Sequence, residues 1–359
     1  MRTLSDAPLL LVGSLAFDNE DQVFDQCGRL LSDVLFAMPD GETGERAIWV
    51  CYEAKGLYKP HTDIVTLSEP QDEQGNPQPF PSFLFDCWNL TVADGVDALN
   101  FDSLPRIQDA IDNYAKFNRY RDDGVIDSDV KFQVCLPMPE STTGWFFRER
   151  FARDYPILEP AYEDAMAREL ARLFETVPAD DLVLQWDICF EVLDLQRLFM
   201  WTPVEGAWER FIGPVRRLSP LVPEEVTVGY HLCYGTLGGW PMKEQIDMAQ
   251  DVRMCNAIVE EAGRRVDYFQ FAGPRPNRSE EDDFYRPLSD LRIGDAKVYL
   301  GLVHDVDGTR GLRIRVATAK KYLDDFGISA CCGFGRRPGE EMEKTLSTHR
   351  ADVDCFLEL

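Results

Sequence analysis

The sequence predicts a single (β/α)8 barrel spanning residues 1–359. Eight short apolar runs alternate with amphipathic helical patterns along the chain. Most of these runs are continuously apolar, as parallel strands covered on both faces are, and do not alternate in polarity. No GxGxxG follows the first run, which argues against a dinucleotide-binding open sheet. A length of 359 residues is usual for a barrel built as one domain.

The strands are read in order as "PLLLVGS" (8–14), "RAIWVCY" (46–52), "VKFQVCLP" (130–137), "DLVLQWD" (181–187), "VTVGYHLC" (226–233), "VDYFQF" (266–271), "AKVYLGLVH" (296–304) and "GISACC" (327–332). Each is followed by a Gly, Pro or acidic turn. After Pro105, Ile107, Ile111 and Tyr114 form one helical stripe. After Pro160, Met166, Leu170, Leu173 and Phe174 form another, and Ile246, Met248, Val252, Cys255 and Ile258 predict a helix from Pro241 through Ala262. Residues 53–103 break the pattern, being rich in Pro, Asp and Gln, and are expected to be an insertion packed on the barrel.

Composition narrows the function. Forty-five per cent apolar and 28% charged residues are ordinary for a globular protein. With 37 basic against 63 acidic residues, the net charge of −26 repels phosphate backbones and anionic membranes. Neither nucleic acid nor a membrane is an expected partner; a small-molecule substrate is. The N-terminal stretch has no long apolar core or small-residue cleavage site, so a cytoplasmic protein is expected. Ten cysteines without framework spacing point to reduced thiols, most of them buried.

Barrel enzymes place their chemistry at the C-terminal ends of strands. The polar residues there are Asp187, His231, Cys233, His304 and one of Cys331 and Cys332. The loop "MPDGETGER" adds Asp40, Glu42 and Arg46. His231 and Cys233 lie two apart and share a face of their strand. With a cysteine from another strand end they make the nitrogen and sulfur donor set that zinc takes. A purely structural reading stays open for each: a packed histidine with inert thiols, Asp187 as a cap, Glu42 and Arg46 as a surface pair, and Trp145 as core beside Phe146 and Phe147. Arg275, Arg278, Arg336 and Arg337 stand in strand-end loops, where they would suit a carboxylate or phosphate.

The motifs "GE" (41–42), "QWD" (185–187), "HLCY" (231–234), "VH" (303–304) and "CG" (332–333) occur in an order that resembles the catalytic barrel of cobalamin-independent methionine synthase. The resemblance implies a zinc ion on His231, Cys233 and Cys332 that holds a substrate thiol as thiolate. It implies that Glu42 and Asp187 hold the amino group of homocysteine. It also implies that Trp145 stacks on the pterin of methyltetrahydrofolate as methyl donor, and that His304 protonates the departing amine. Two departures stand out. Ala272 occupies the position of the family's fourth ligand, a glutamate, which leaves a site without metal, a site of three ligands, or the recruitment of Cys331. Ile188-Cys189-Phe190-Glu191 follows Asp187 where the family has Glu-Pro. The function expected is that of a methyltransferase. The alternative is a metal-independent lyase or decarboxylase similar to uroporphyrinogen decarboxylase, with Asp40, Asp187, Arg46 and the rim arginines, Arg275 and Arg336 among them, binding substrate carboxylates.

Overall fold

The computed structural model describes residues 3–78, 86–236 and 239–359. Its strands, in chain order, are Leu9–Leu10 (β1), Ala37–Pro39 (β2), Ile64–Ser68 (β3), Asn89–Val92 (β4), Lys131–Pro137 (β5), Leu182–Ile188 (β6), Thr227–Leu232 (β7), Tyr268–Ala272 (β8), Lys297–Val303 (β9) and Gly327–Ala330 (β10). Eight of them form one parallel sheet in the order β1-β10-β9-β8-β7-β6-β5-β2. A parallel bridge between Leu9 and Leu35 brings β1 back beside the chain entering β2 and nearly closes the sheet on itself. Helices follow the strands, so the molecule is a (β/α)8 barrel. Every residue of β6, β7 and β8 is buried, which is why these segments read as unbroken apolar runs.

Seven of the eight expected strands are found. The exception is 46–52: Gly44–Ile48 is a 3-10 turn, Val50–Glu53 is α-helical, and the second barrel strand is the three residues Ala37–Pro39 just before it. The physical reason lies in the intervening loop. Gly41, Glu42 and Gly44 all have positive φ, at 79°, 45° and 63°, which turns the chain out of the sheet. The apolar residues after it face the barrel mouth and core instead of a neighbouring strand. At Gly41 a Cβ would come within 2.6 Å of the Val23 side chain, so glycine is needed there for space as well as for φ.

The helix at Pro105–Asp122 starts on its proline, as expected. Two others are shifted. One begins at Phe151 and carries Pro156 and Pro160 within it, because Phe151, Tyr155, Leu158 and Tyr162 bury a continuous stripe that offsets the missing amide donors. The other begins only at Ala249, and Ile246 is 81% exposed. Within 53–103, β3 and β4 pair as an antiparallel hairpin, and residues 79–85 of that stretch lie outside the described residues. Among the described residues no helix is long and apolar enough to cross a membrane.

The barrel interior holds polar side chains that bond across strands. Gln133 Nε2 donates to the carbonyls of Leu11 (3.1 Å) and Val12 (3.3 Å), and Gln185 Nε2 to that of Val12 at 2.7 Å. Tyr268 on β8 crosses β7 to donate its hydroxyl proton to Gln185 Oε1 at 3.0 Å. Gly229 makes that crossing possible, since a Cβ there would lie 2.0 Å from the tyrosine ring.

Candidate metal centre and its cavity

His231 sits at the end of β7, Cys233 just beyond it, and Cys332 two residues beyond β10. Their donor atoms all lie within 4.8 Å of one another, with Cys233 Sγ and Cys332 Sγ 3.2 Å apart. Donors around a tetrahedral zinc are separated by roughly 3.5–3.8 Å, so these three enclose a volume of the right size, and their chemistry is that of a zinc set. Among the described residues this is the group with such spacing. The loop carrying Cys332 is tied to the segment that follows β1: Ser14 accepts from Phe334 N at 2.6 Å and Gly335 N at 3.2 Å. Gly333 allows the approach, because a Cβ there would sit 2.4 Å from Ser14 Oγ.

Neighbouring thiols and burial hold both cysteines well above the ordinary thiol range; the strongest influence on Cys233 is Cys189, and on Cys332 it is Cys233. A dication among them would reverse that balance, since a coordinating thiol is deprotonated. His231 Nδ1 is hydrogen-bonded to Gln270 Oε1.

The three residues open on a cavity of about 710 Å³, open mouth included, whose walls also include Glu42, Trp49, Trp145, Asp187, Cys189 and Arg336. Cys332 and Arg336 are shared with an adjoining cavity that holds Trp240, His304, Cys331 and Arg337. Asp187 ends β6 and accepts from Gln185 Nε2 at 2.9 Å; burial, reinforced by Glu42, pushes its carboxyl well above the usual range. Burial likewise raises Glu42, against the opposing pull of Arg106, whose Nη1 donates to Glu42 Oε1. Trp145 is 4% exposed and meets Phe190 and Phe199 edge to face at 5.2 and 5.0 Å. His304 donates or accepts through Nε2 with the Pro274 carbonyl at 3.0 Å; since a carbonyl only accepts, the proton is on Nε2. Burial and the Arg315 guanidinium hold His304 down to about 4.

Thus His231, Cys233, Cys332, Glu42, Asp187, Trp145 and Arg336 line one cavity, and His304 lines its neighbour. Asp40, Arg46 and Arg275 line neither. Arg46 is turned to Asp40 (2.6 Å) and Glu20 (2.7 Å), and Asp40 also takes Asn113 Nδ2 at 2.8 Å, so these two brace the loop from behind. Of the groups assigned to the substrate in the decarboxylase alternative, Asp187 and Arg336 line the cavity, while Asp40, Arg46 and Arg275 do not. Arg275 pairs with Glu244 at 3.1 Å on the surface. Ala272, fully buried at the end of β8, brings no donor, and Cys331 Sγ turns to the Gly301 carbonyl (3.1 Å), away from the triad.

Sequence reasoning passed over Gln185, Gln270, Arg106, Trp49 and Cys189. A usable signal existed for the two glutamines: each is an amide in a fully buried strand, where an unpartnered polar group is costly.

Solved structures resemble the chain over nearly its whole length. One is a B12-independent methionine synthase from Shewanella sp. W3-18-1 in complex with selenomethionine, with TM-score 0.62, 13% identity and 98% of each chain covered. A putative vitamin-B12 independent methionine synthase from Listeria monocytogenes gives 0.57 at 14% identity, covering 98% of this chain and 99% of that one. A methyltransferase from Methanosarcina mazei gives 0.54 at 13%, covering 99% and 95%. No protein-family model matches the chain, and no curated protein matches it in sequence. The chain has the barrel fold of the B12-independent methionine synthases, and at these identities the likeness is one of fold.

Proposed function

We propose that this protein is a methyltransferase-like enzyme that moves a methyl group to or from a thiol held as a zinc thiolate. The observation that carries the reading is the convergence of His231, Cys233 and Cys332 at the C-terminal rim of the barrel, opening on a cavity. The structures of like fold are described as methionine synthases and a methyltransferase, which supports methyl transfer as the reaction class. A zinc ion held by these residues would keep a substrate thiol ionised near neutral pH, as the nucleophile for a methyl carbon.

The chain's own residues supply the rest. Asp187, whose side chain is hydrogen-bonded by an amide and not by a cation, offers a carboxylate for an ammonium group on the thiol substrate. Glu42 is already neutralised in part by Arg106 and contributes less. Trp145 gives the cavity a flat wall against which a ring such as the pterin of methyltetrahydrofolate can lie. With its proton fixed on Nε2 and its ring held neutral near pH 7, His304 would have to take up a proton on Nδ1 before passing it to a departing amine.

The test is elemental analysis of protein purified without a polyhistidine tag, comparing wild type with His231→Ala and Cys233→Ser. Near-stoichiometric zinc that vanishes in both variants, together with thiol methylation by wild type, is the expected result. Zinc-free wild type from metal-replete preparations would sink the thiolate reading.

A further inference from the structure

We propose that Gln270 is a positioning residue of the metal centre, fixing the His231 tautomer and tying the strand that carries His231 to the strand end that carries Cys332. The inference rests on the zinc reading for its purpose, though its geometry stands independently of it. His231 and Gln270 are register partners on β7 and β8, so both side chains leave the same face of the sheet. Gln270 is fully buried, as is Ser329, and His231 is 3% exposed.

The orientation of the amide follows from its partners. One of the two groups facing its nitrogen is the main-chain carbonyl of Ala330, at 3.0 Å; the other is Ser329 Oγ, also at 3.0 Å. A carbonyl oxygen only accepts, so the NH2 end must face Ala330, and the opposite assignment would set two oxygens against each other. That leaves Oε1 facing His231 Nδ1. An amide oxygen also only accepts, so Nδ1 carries the proton and Nε2 keeps its lone pair. Nε2 is the atom left to join the two thiols, and a ring nitrogen of His231 lies within 4.8 Å of both sulfurs.

The reach from β8 to β10 passes over β9. Gly301 keeps that path short: a Cβ there would lie 2.8 Å from Cys331 Cα and 3.0 Å from Gly273 N. Through Ser329 and Ala330, two residues before Cys332, Gln270 therefore links the histidine ligand to the second cysteine ligand. Its oxygen, engaged by His231, is not a fourth donor, and that position is left to substrate.

The tautomer is read directly by long-range 1H–15N correlation spectra of metal-free protein labelled at histidine, with His231 assigned by its loss in His231→Asn. Wild type should show the Nδ1–H form, and Gln270→Met, which keeps the volume but not the hydrogen bonds, should lose it. Zinc affinity, measured by chelator competition, should fall about 10- to 100-fold in that variant. Gln270→Glu retains an acceptor for Nδ1 and should restore the Nδ1–H form. An Nε2–H wild type that binds zinc overturns this inference alone, as does a Gln270→Met that keeps both tautomer and affinity. Wild type that shows Nδ1–H yet binds no zinc overturns the metal centre and with it the purpose assigned to Gln270. If Gln270→Met fails to fold, the wild-type tautomer and Gln270→Glu decide the matter.

Discussion

Replacing Arg106 with methionine tests how the cavity wall is held. Arg106 is 5% exposed in the first turn of helix Pro105–Asp122. Its Nε meets Glu53 Oε1 at 2.8 Å and its Nη1 meets Glu42, so one cation joins that helix, the short helix Val50–Glu53 and the cavity loop. Glu42 and Glu53 are 6% and 1% exposed. Removing one partner from a buried ion group costs about 3–5 kcal/mol, because the remaining charge is neither solvated nor paired. Against a typical total of about 5–15 kcal/mol, the variant should fold but unfold at markedly lower urea.

The cost should depend on pH with a definite sign. Burial already raises both carboxyls above 4.5, and Arg106 is the largest influence pulling them back. Without it they rise further. A carboxyl with a raised folded-state value contributes stability below its unfolded value and loses it as pH climbs through the folded value. The variant should therefore be penalised most at pH 8 and less near pH 5, towards which the two glutamates take up protons more readily in the folded than in the unfolded state. Urea unfolding of wild type and variant at both pH values measures this. A loss below about 1 kcal/mol at pH 8, or an equal loss at both, would refute the reasoning.

Three further outcomes are expected. His304, lowered from 6.5 to about 4 by burial first, binds fewer protons folded than unfolded, so stability should fall as pH drops from 6.5 towards 4; at about 1.4 kcal/mol per unit this reaches on the order of 3 kcal/mol, and His304→Gln should flatten that slope. Asp187→Asn should raise the urea midpoint at pH 8, since it removes a buried charge whose carboxyl is pushed up, while cutting methyl transfer; a lower midpoint at pH 8 counts against the assignment. Gly229→Ala puts a Cβ 2.0 Å from the Tyr268 ring and should cost about 1–3 kcal/mol, with part recovered when Tyr268→Leu is added; additive losses in the double variant would contradict the contact.

The barrel was legible because seven of its strands are long or apolar enough to stand out, and because strand ends gather the reactive residues. The second strand was not. Three residues ending in Pro39 give no periodicity, while the richer apolar run after it, 46–52, serves the cavity through Trp49, Val50 and Cys51. His231 and Cys233 were readable from residue type and strand position, whereas the choice of Cys332 over Cys331 came from the family resemblance. Asp40 and Arg46 were not separable from Glu42 in the same way, because a turn at positive φ sends neighbouring side chains to opposite sides, and the sequence shows only that they are adjacent. Arg106 was invisible for a different reason: its partners are 64 and 53 residues away.

Charge at the barrel mouth is settled in pairs, and the pairs leave a remainder. Arg46 answers Asp40 and Glu20, Arg106 answers Glu42 and Glu53, and Arg337 answers Asp305. Among the described residues of the cavity at His231, Cys233 and Cys332, Asp187 and Arg336 have no ion-pair partner: Asp187 is met by an amide, Arg336 by the Thr236 hydroxyl and, at 3.5 Å, the Ala47 carbonyl. A net charge of −26 therefore says little about this pocket, whose unpaired groups are one of each sign. Desolvating either group costs free energy unless a ligand supplies its counter-charge. A small ligand bearing both an ammonium and an acid group would supply both. That is the reason to expect Asp187→Asn to gain stability and lose turnover together.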